Sequence, residues 1–193
     1  MDFLAFERMS DGEAEEFLAR YLELESAQLQ SLVATAREAG LAADFTVESV
    51  APLMLWLQRG TETMPKAPDE SVPVWLRTNE SYLRSLFELT PESKVKVLRA
   101  SCYLGETFVR QWPAQLRWAT GSRETAEANQ PVVTGFRHGI EMSPMLVVEN
   151  LFARMHMEPD RESDIATAVE TWKSLVPHGK GARATRQGDH SGL

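Results

Sequence analysis

The segment Lys94 to Trp118 (KVKVLRASCYLGETFVRQWPAQLRW) constrains the fold more than any other part of the chain. Val95, Leu98, Cys102, Val109 and Trp112 recur at helical spacing, and Val97, Leu104 and Phe108 widen the apolar arc. A helix apolar over so much of its circumference must be covered on most sides, so it predicts a central helix. Thr90-Pro91 supplies its start, with threonine as cap and proline in the first turn. Trp112-Pro113 stops it, because the residue before proline avoids the helical region.

Other helices are predicted around this hub. Ser10 and Glu13 form a capping-box pair ahead of a long amphipathic stretch that Gly40 ends, with a break allowed near Glu25 and Ser26. Asp44 to Arg59 reads as a second helix capped by Thr46 or Asp44, with Pro52 near its start and Trp56 at the margin of its apolar face. Asn79 to Leu89, Ser143 to His156 and Asp160 to Val176 complete the set. Alternation at Leu116, Trp118 and Thr120, and again over Pro131 to Arg137, predicts two strands across a polar loop. The pair needs helices beneath it or a third strand, for which Val72 to Leu76 is the candidate; Thr61 to Ser71 reads as loop. The expected fold is therefore α+β and predominantly helical. It has about six helices around a central helix (91–111) and a small antiparallel strand pair (115–120, 131–137). Residues 1–176 form one domain, with Phe3, Leu4 and Phe6 as an apolar arm, and 177–193 a flexible tail.

Composition narrows the function classes. The net charge of −8 disfavours nucleic acid, whose phosphates call for clustered Lys and Arg. The acid is concentrated in Asp11 to Glu25, which reads as a solvated helix face or as a surface that steers a basic partner. No apolar run approaches membrane-spanning length; the longest is Val50 to Leu57. The beginning of the chain carries no basic segment of the secretory kind, and Cys102 is the only cysteine; both fit a reducing cytoplasm.

No nucleotide-binding, hydrolase or metalloprotease motif is present, and nothing calls for a cofactor or a metal. Cys102 sits mid-helix on the apolar stripe, where a thiol serves as a small hydrophobe rather than a nucleophile. Glu106 has two readings. One is an i,i+4 ion pair with Arg110. The other is a half-buried carboxylate that accepts bonds from the strand pair, from Arg117 or Arg137, with Gly105 letting a backbone or aromatic ring come close. Arg137, His138 and Glu141 follow the second strand. A histidine there is ordinarily a surface residue, with an acid–base or metal role as the sharper alternative. Trp56 and Trp75 are either core or an exposed aromatic patch.

Three segments carry a resemblance: Asp44 to Val50 opening a helix, Tyr103-Leu104-Gly105-Glu106 within a later one, and the Trp-bearing Leu116 to Trp118. Together the chain resembles uncharacterised bacterial proteins, some of which look like immunity proteins of toxin systems. Pro52 and the Arg-Gln-Trp-Pro exit depart from that pattern. The resemblance implies an α+β cytosolic protein without known catalysis, in which Gly105 and Glu106 matter structurally. The leading expectation is a non-enzymatic domain that binds another protein, basic where the acidic face is the contact, with an immunity-type role as its concrete form. The alternative is a small cytosolic enzyme. Glu106, Trp118, Arg137 and His138 are the candidate binding residues.

Overall fold

A computed structural model describes residues 6, 8–66, 71–75, 77, 79, 82, 86–125 and 127–177. The sequence readings on Phe3, Leu4, the greater part of 79–86 and the tail from 178 onward lie outside the described residues. Among the described residues five helices and two small antiparallel strand pairs make an α+β fold that is mostly helical. No helix there is long and apolar enough to cross a membrane.

Helix α1 spans Asp11–Glu38. Its capping box is complete: the Glu13 amide donates to Ser10 Oγ at 3.3 Å, and the Ser10 amide donates to Glu13 Oε2 at 2.8 Å. The helix runs unbroken through Glu25 and Ser26, and Gly40, at φ +76°, closes its end. Helix α2, Val47–Arg59, follows a tight turn in which the Thr46 amide donates to Asp44 Oδ1 at 3.0 Å. Val50, Leu53, Met54 and Leu57 form its buried face, and Trp56 packs half-buried against the core.

The next region departs from the sequence reading. Strand β1, Thr63–Pro65, pairs with β2, Phe87–Leu89, so the end of the expected 79–89 helix is extended and part of the expected 61–71 loop is a strand. Residues 71–75 form turns and bends rather than a strand, and Trp75 is 73% exposed. Local periodicity over 79–89 is helical, but backbone pairing with a distant segment decides the state of its last residues.

Helix α3, Pro91–Gln111, is the hub. Its cap is Thr90, whose Oγ1 accepts from the Ser93 amide at 3.3 Å. It packs against α1, α2, both strands of the second pair, and α4, Pro144–Met157. Val97, Leu104 and Phe108 are buried as expected. Val95 is not, at 43% exposure, although it shares a face with buried Cys102 two turns on. Cys102 meets Tyr21 of α1, with Tyr21 Oη 3.5 Å from Sγ.

Strand β3, Arg117–Thr120, pairs antiparallel with β4, Pro131–Thr134, placing Trp118 opposite Val133. The third piece of this ribbon is a single bridge from Val133 to Met142, not the described residues 72–75 of the candidate strand. After β4 a short 3-10 turn, Arg137–Gly139, leads to α4. Helix α5, Ser163–Ser174, is the last helix of the described residues; it starts later than expected because Pro159–Arg161 forms a separate 3-10 turn, and it ends at the Leu175 cap. One continuous apolar core runs from Tyr21 to Val176.

Gly105 sets the spacing of the layers. A Cβ built there would lie 2.2 Å from Trp118 Cη2 and 3.0 Å from Pro144 Cγ. The missing side chain therefore lets the indole of β3 and the start of α4 press on the backbone of α3. A Gly105→Ala variant is expected to lose about 1–3 kcal/mol through overpacking. Its melting temperature and the emission spectrum of Trp118, relative to a Trp118→Phe control, measure this; an unchanged melting temperature would contradict the close approach.

Candidate functional site

Along α1 the residues Leu22, Ser26, Leu29, Gln30, Val33, Ala34 and Arg37 fall on one side of the helix and line one wall of a groove. Glu106 and Arg110 of α3, Trp118 of β3 and Phe45 form the opposite wall, and Glu25 completes the lining. The groove encloses about 610 Å³, within the range of ligand-binding clefts.

The charged end of the groove is held tightly. Arg110 Nε donates to Glu106 Oε1 at 2.7 Å, and Trp118 Nε1 donates to Glu106 Oε2 at 3.3 Å. Both readings of Glu106 thus hold together: it forms the ion pair one turn along, and it accepts from the ribbon. The donor is Trp118 rather than Arg117 or Arg137. The Glu106 side chain is 20% exposed. The Arg110 guanidinium carbon lies 3.8 Å from the centroid of the Phe45 ring, a cation–π contact. That ring stacks on Tyr103 at 4.9 Å.

Phe45 is held in a strained backbone conformation, at φ +59°. Three contacts fix it. Its amide donates to Tyr103 Oη at 2.9 Å, its carbonyl accepts from Gln111 Nε2 at 2.8 Å, and its ring is sandwiched between Tyr103 and Arg110. Tyr103 Oη in turn lies 2.6 Å from Ser49 Oγ, which ties α2 to α3.

Glu25 is the residue the sequence reading missed. It is 4% exposed, and its Oε1 has no hydrogen-bond partner within the protein. Burial pushes its carboxyl up to about 8, the nearby charge of Glu106 adds to the rise, and Arg110 offsets a part. A signal was present: Tyr21, Glu25, Leu29, Leu32 and Ala36 are spaced by three and four, so Glu25 stands on the apolar stripe itself. Its charge places it equally in the acidic run Asp11 to Glu25, which reads as a solvated face.

Beneath the groove, burial pushes the Cys102 thiol up to about 12 and raises Tyr21 well above the ordinary phenol range. Cys102 is buried and beside Tyr21, and it offers no thiolate at neutral pH.

Of the four candidate residues, Glu106 and Trp118 line this groove. Arg137 and His138 are elsewhere. The Arg137 amide donates to the Leu175 carbonyl at 2.8 Å, beside the end of α5, and His138 is exposed at φ +63°. Glu141 Oε2 accepts from the Ser122 amide at 2.9 Å on the far side of the ribbon loop. Among the described residues no three His, Cys, Asp or Glu side chains gather where they could share a metal.

No family model, curated protein or solved structure matches this chain. The segments Asp44 to Val50, Tyr103 to Glu106 and Leu116 to Trp118 meet in space. Phe45 stacks on Tyr103, Gly105 receives Trp118, and Glu106 accepts from Trp118.

The raised carboxyl of Glu25 has a consequence for stability. Its folded value, about 8, lies above the ordinary 4.5. The neutral acid therefore contributes its stabilisation fully below about pH 4.5, and that contribution is lost as pH rises to about 8. Glu25→Gln is expected to remove most of this fall and to be the more stable protein at pH 9, by on the order of 2–4 kcal/mol. Glu106→Gln, which deletes the neighbouring like charge, should shift the midpoint of the fall to lower pH. Denaturant unfolding of the three proteins between pH 5 and pH 9 checks both; parallel pH profiles would contradict them.

Proposed function

We propose that this protein is a non-enzymatic binding domain whose groove between α1 and α3 receives a basic segment of a partner protein. The observation that carries this reading is the buried Glu25 carboxyl with an unpartnered oxygen on the wall of a large groove. Buried polar atoms in folded proteins are nearly always satisfied, and an exception in a cleft marks a place where an external donor fits.

The form of the groove supports a polypeptide occupant. Its α1 wall runs from Leu22 to Arg37, about 22 Å of helix, long enough for several residues of an extended or helical segment. Leu22, Leu29, Val33 and Ala34 supply apolar contact, while the overall charge of −8 favours encounter with a basic surface. A toxin-neutralising, immunity-type role is the concrete version, in which the groove covers a basic feature of the toxin. Its support is the meeting of the three resembling segments at the charged end of the groove.

The enzyme reading draws less from the fold. Its cleft needs Glu106, Trp118, Arg137 and His138 together, but Arg137 sits by the end of α5 and His138 is exposed on the turn after β4.

Val33→Arg tests the proposal, because Val33 is half-buried on the groove wall and contributes little to the core. A partner captured by the native chain should be lost by the variant, weakened by salt, and should protect amides of 22–37 and 45 from hydrogen exchange. Matching melting curves establish that the variant is folded. A partner held equally by Val33→Arg, with its footprint outside these residues, overturns the reading.

A further inference from the structure

On the reading that the groove takes a basic segment, we infer that its anchoring element is a cationic nitrogen on an apolar stem, seated on Glu25, and that binding drives one proton from Glu25 into solvent. Glu106 has both oxygens occupied, one by Arg110 and one by Trp118. Glu25 Oε1, across the groove on α1, has no partner and is buried. Glu25 Oε1 is therefore a buried acceptor in the groove that no donor of the protein fills.

The charge of that donor follows from what surrounds Glu25. From α3 it is faced by Glu106, Arg110 and Cys102; from α1 by Tyr21, with Arg37 further along the groove; from β3 by the Trp118 indole. Glu106 acts on the Glu25 carboxyl more strongly than Arg110 does, so the charged neighbours disfavour negative charge at that position. The same field favours a positive one. Arg110 cannot swing in to serve as counter-ion without giving up Glu106 and the Phe45 ring. Leu22, Leu29 and Val33 line the rest of the groove and suit a methylene stem, as a lysine or arginine side chain provides.

Free Glu25 holds its proton at neutral pH because burial disfavours the anion. With a cation against it the anion becomes the favoured form. Glu25 then loses a proton to the buffer, and the bound pair is ammonium or guanidinium with carboxylate.

Calorimetric titration of the intact chain with n-pentylammonium, n-pentylguanidinium and pentanoate tests this. The two cations should bind saturably and pentanoate should not. Affinity for the cations should rise about tenfold per pH unit up to about pH 8 and then level off. Two buffers of different ionisation heat should report close to one proton released per cation at pH 7. Glu25→Gln should lose both the pH slope and the proton release, and weaken binding at pH 8 by at least about tenfold. Binding that is independent of pH, binding of pentanoate in preference to the cations, or an unaltered Glu25→Gln variant overturns the inference. A short peptide of leucine and lysine distinguishes the sources of the cation. Tighter binding than pentylammonium assigns it to a polypeptide, and equal binding to a free amine; either result supports the seat on Glu25. Failure of this inference is separable from failure of the function proposed above. A partner footprint on 22–37 with Glu25 silent removes only the cation seat, whereas a cation on Glu25 with the partner footprint elsewhere removes only the protein-binding reading.

Discussion

The seating of the Trp118 indole on the bare backbone of Gly105 is the contact on which the arrangement depends. It brings the ribbon against α3 at a separation that a single methyl group would forbid. In that position the indole N–H reaches Glu106 and the ring edge meets Tyr21 of α1, at 5.6 Å between centroids. One side chain thus touches the ribbon, the hub helix and the long N-terminal helix. Phe45, stacked on Tyr103 and covered by Arg110, closes the opposite wall. The groove exists because these two aromatic residues stand between α3 and the Leu22-to-Arg37 face of α1.

Two locally unfavourable features sit in that groove. Phe45 holds a left-handed backbone that a bulky residue rarely adopts, a strain of about 1–3 kcal/mol. Glu25 buries a carboxyl with an unpaired oxygen. At the helix starts local preference and global fold agree: Ser10, Thr90 and Ser143 cap their helices with side-chain oxygens, and Pro91 and Pro144 stand in first turns. Asn129 and His138 also hold left-handed backbones, but the groove is where backbone strain and a buried, unpartnered carboxyl coincide, and that coincidence directs the search for function there.

Much of the framework could be read from residues alone, because caps, stops and apolar spacing act locally. The α3 hub, the ribbon of 117–120 with 131–134, and the close approach at Gly105 all follow from such signals. The failures share a different cause. Phe87–Leu89 became a strand through pairing with Thr63–Pro65, a partner more than twenty residues away whose affinity for it no local pattern encodes. In sequence Arg137 and His138 flank the same ribbon as Trp118, which suggests one site. Yet Trp118 faces Val133, and the chain continues past Gly135, where a Cβ would strike the Gln115 carbonyl, so Phe136 packs on Trp172 and Arg137 reaches Leu175. Register decides that separation, and register is a tertiary property. Glu25 failed for the opposite reason: its position was legible, but its charge outweighed its spacing.

The identity of residue 25 bears on what the groove is for. A leucine there would continue the stripe of Tyr21, Leu29 and Leu32 and would bury apolar area without an orphaned acceptor. A glutamine would keep the shape and shed the titration. Glutamate alone gives a site that is neutral and tolerably buried when empty and anionic when a cation arrives. The free state is stabilised by the same proton that a ligand must displace, so occupancy and protonation exclude one another. Such a site discriminates by charge without an exposed carboxylate in the unliganded protein, where solvent and the nearby Arg110 would screen it. The desolvation that makes Glu25 a poor core residue is thus what makes it a selective acceptor.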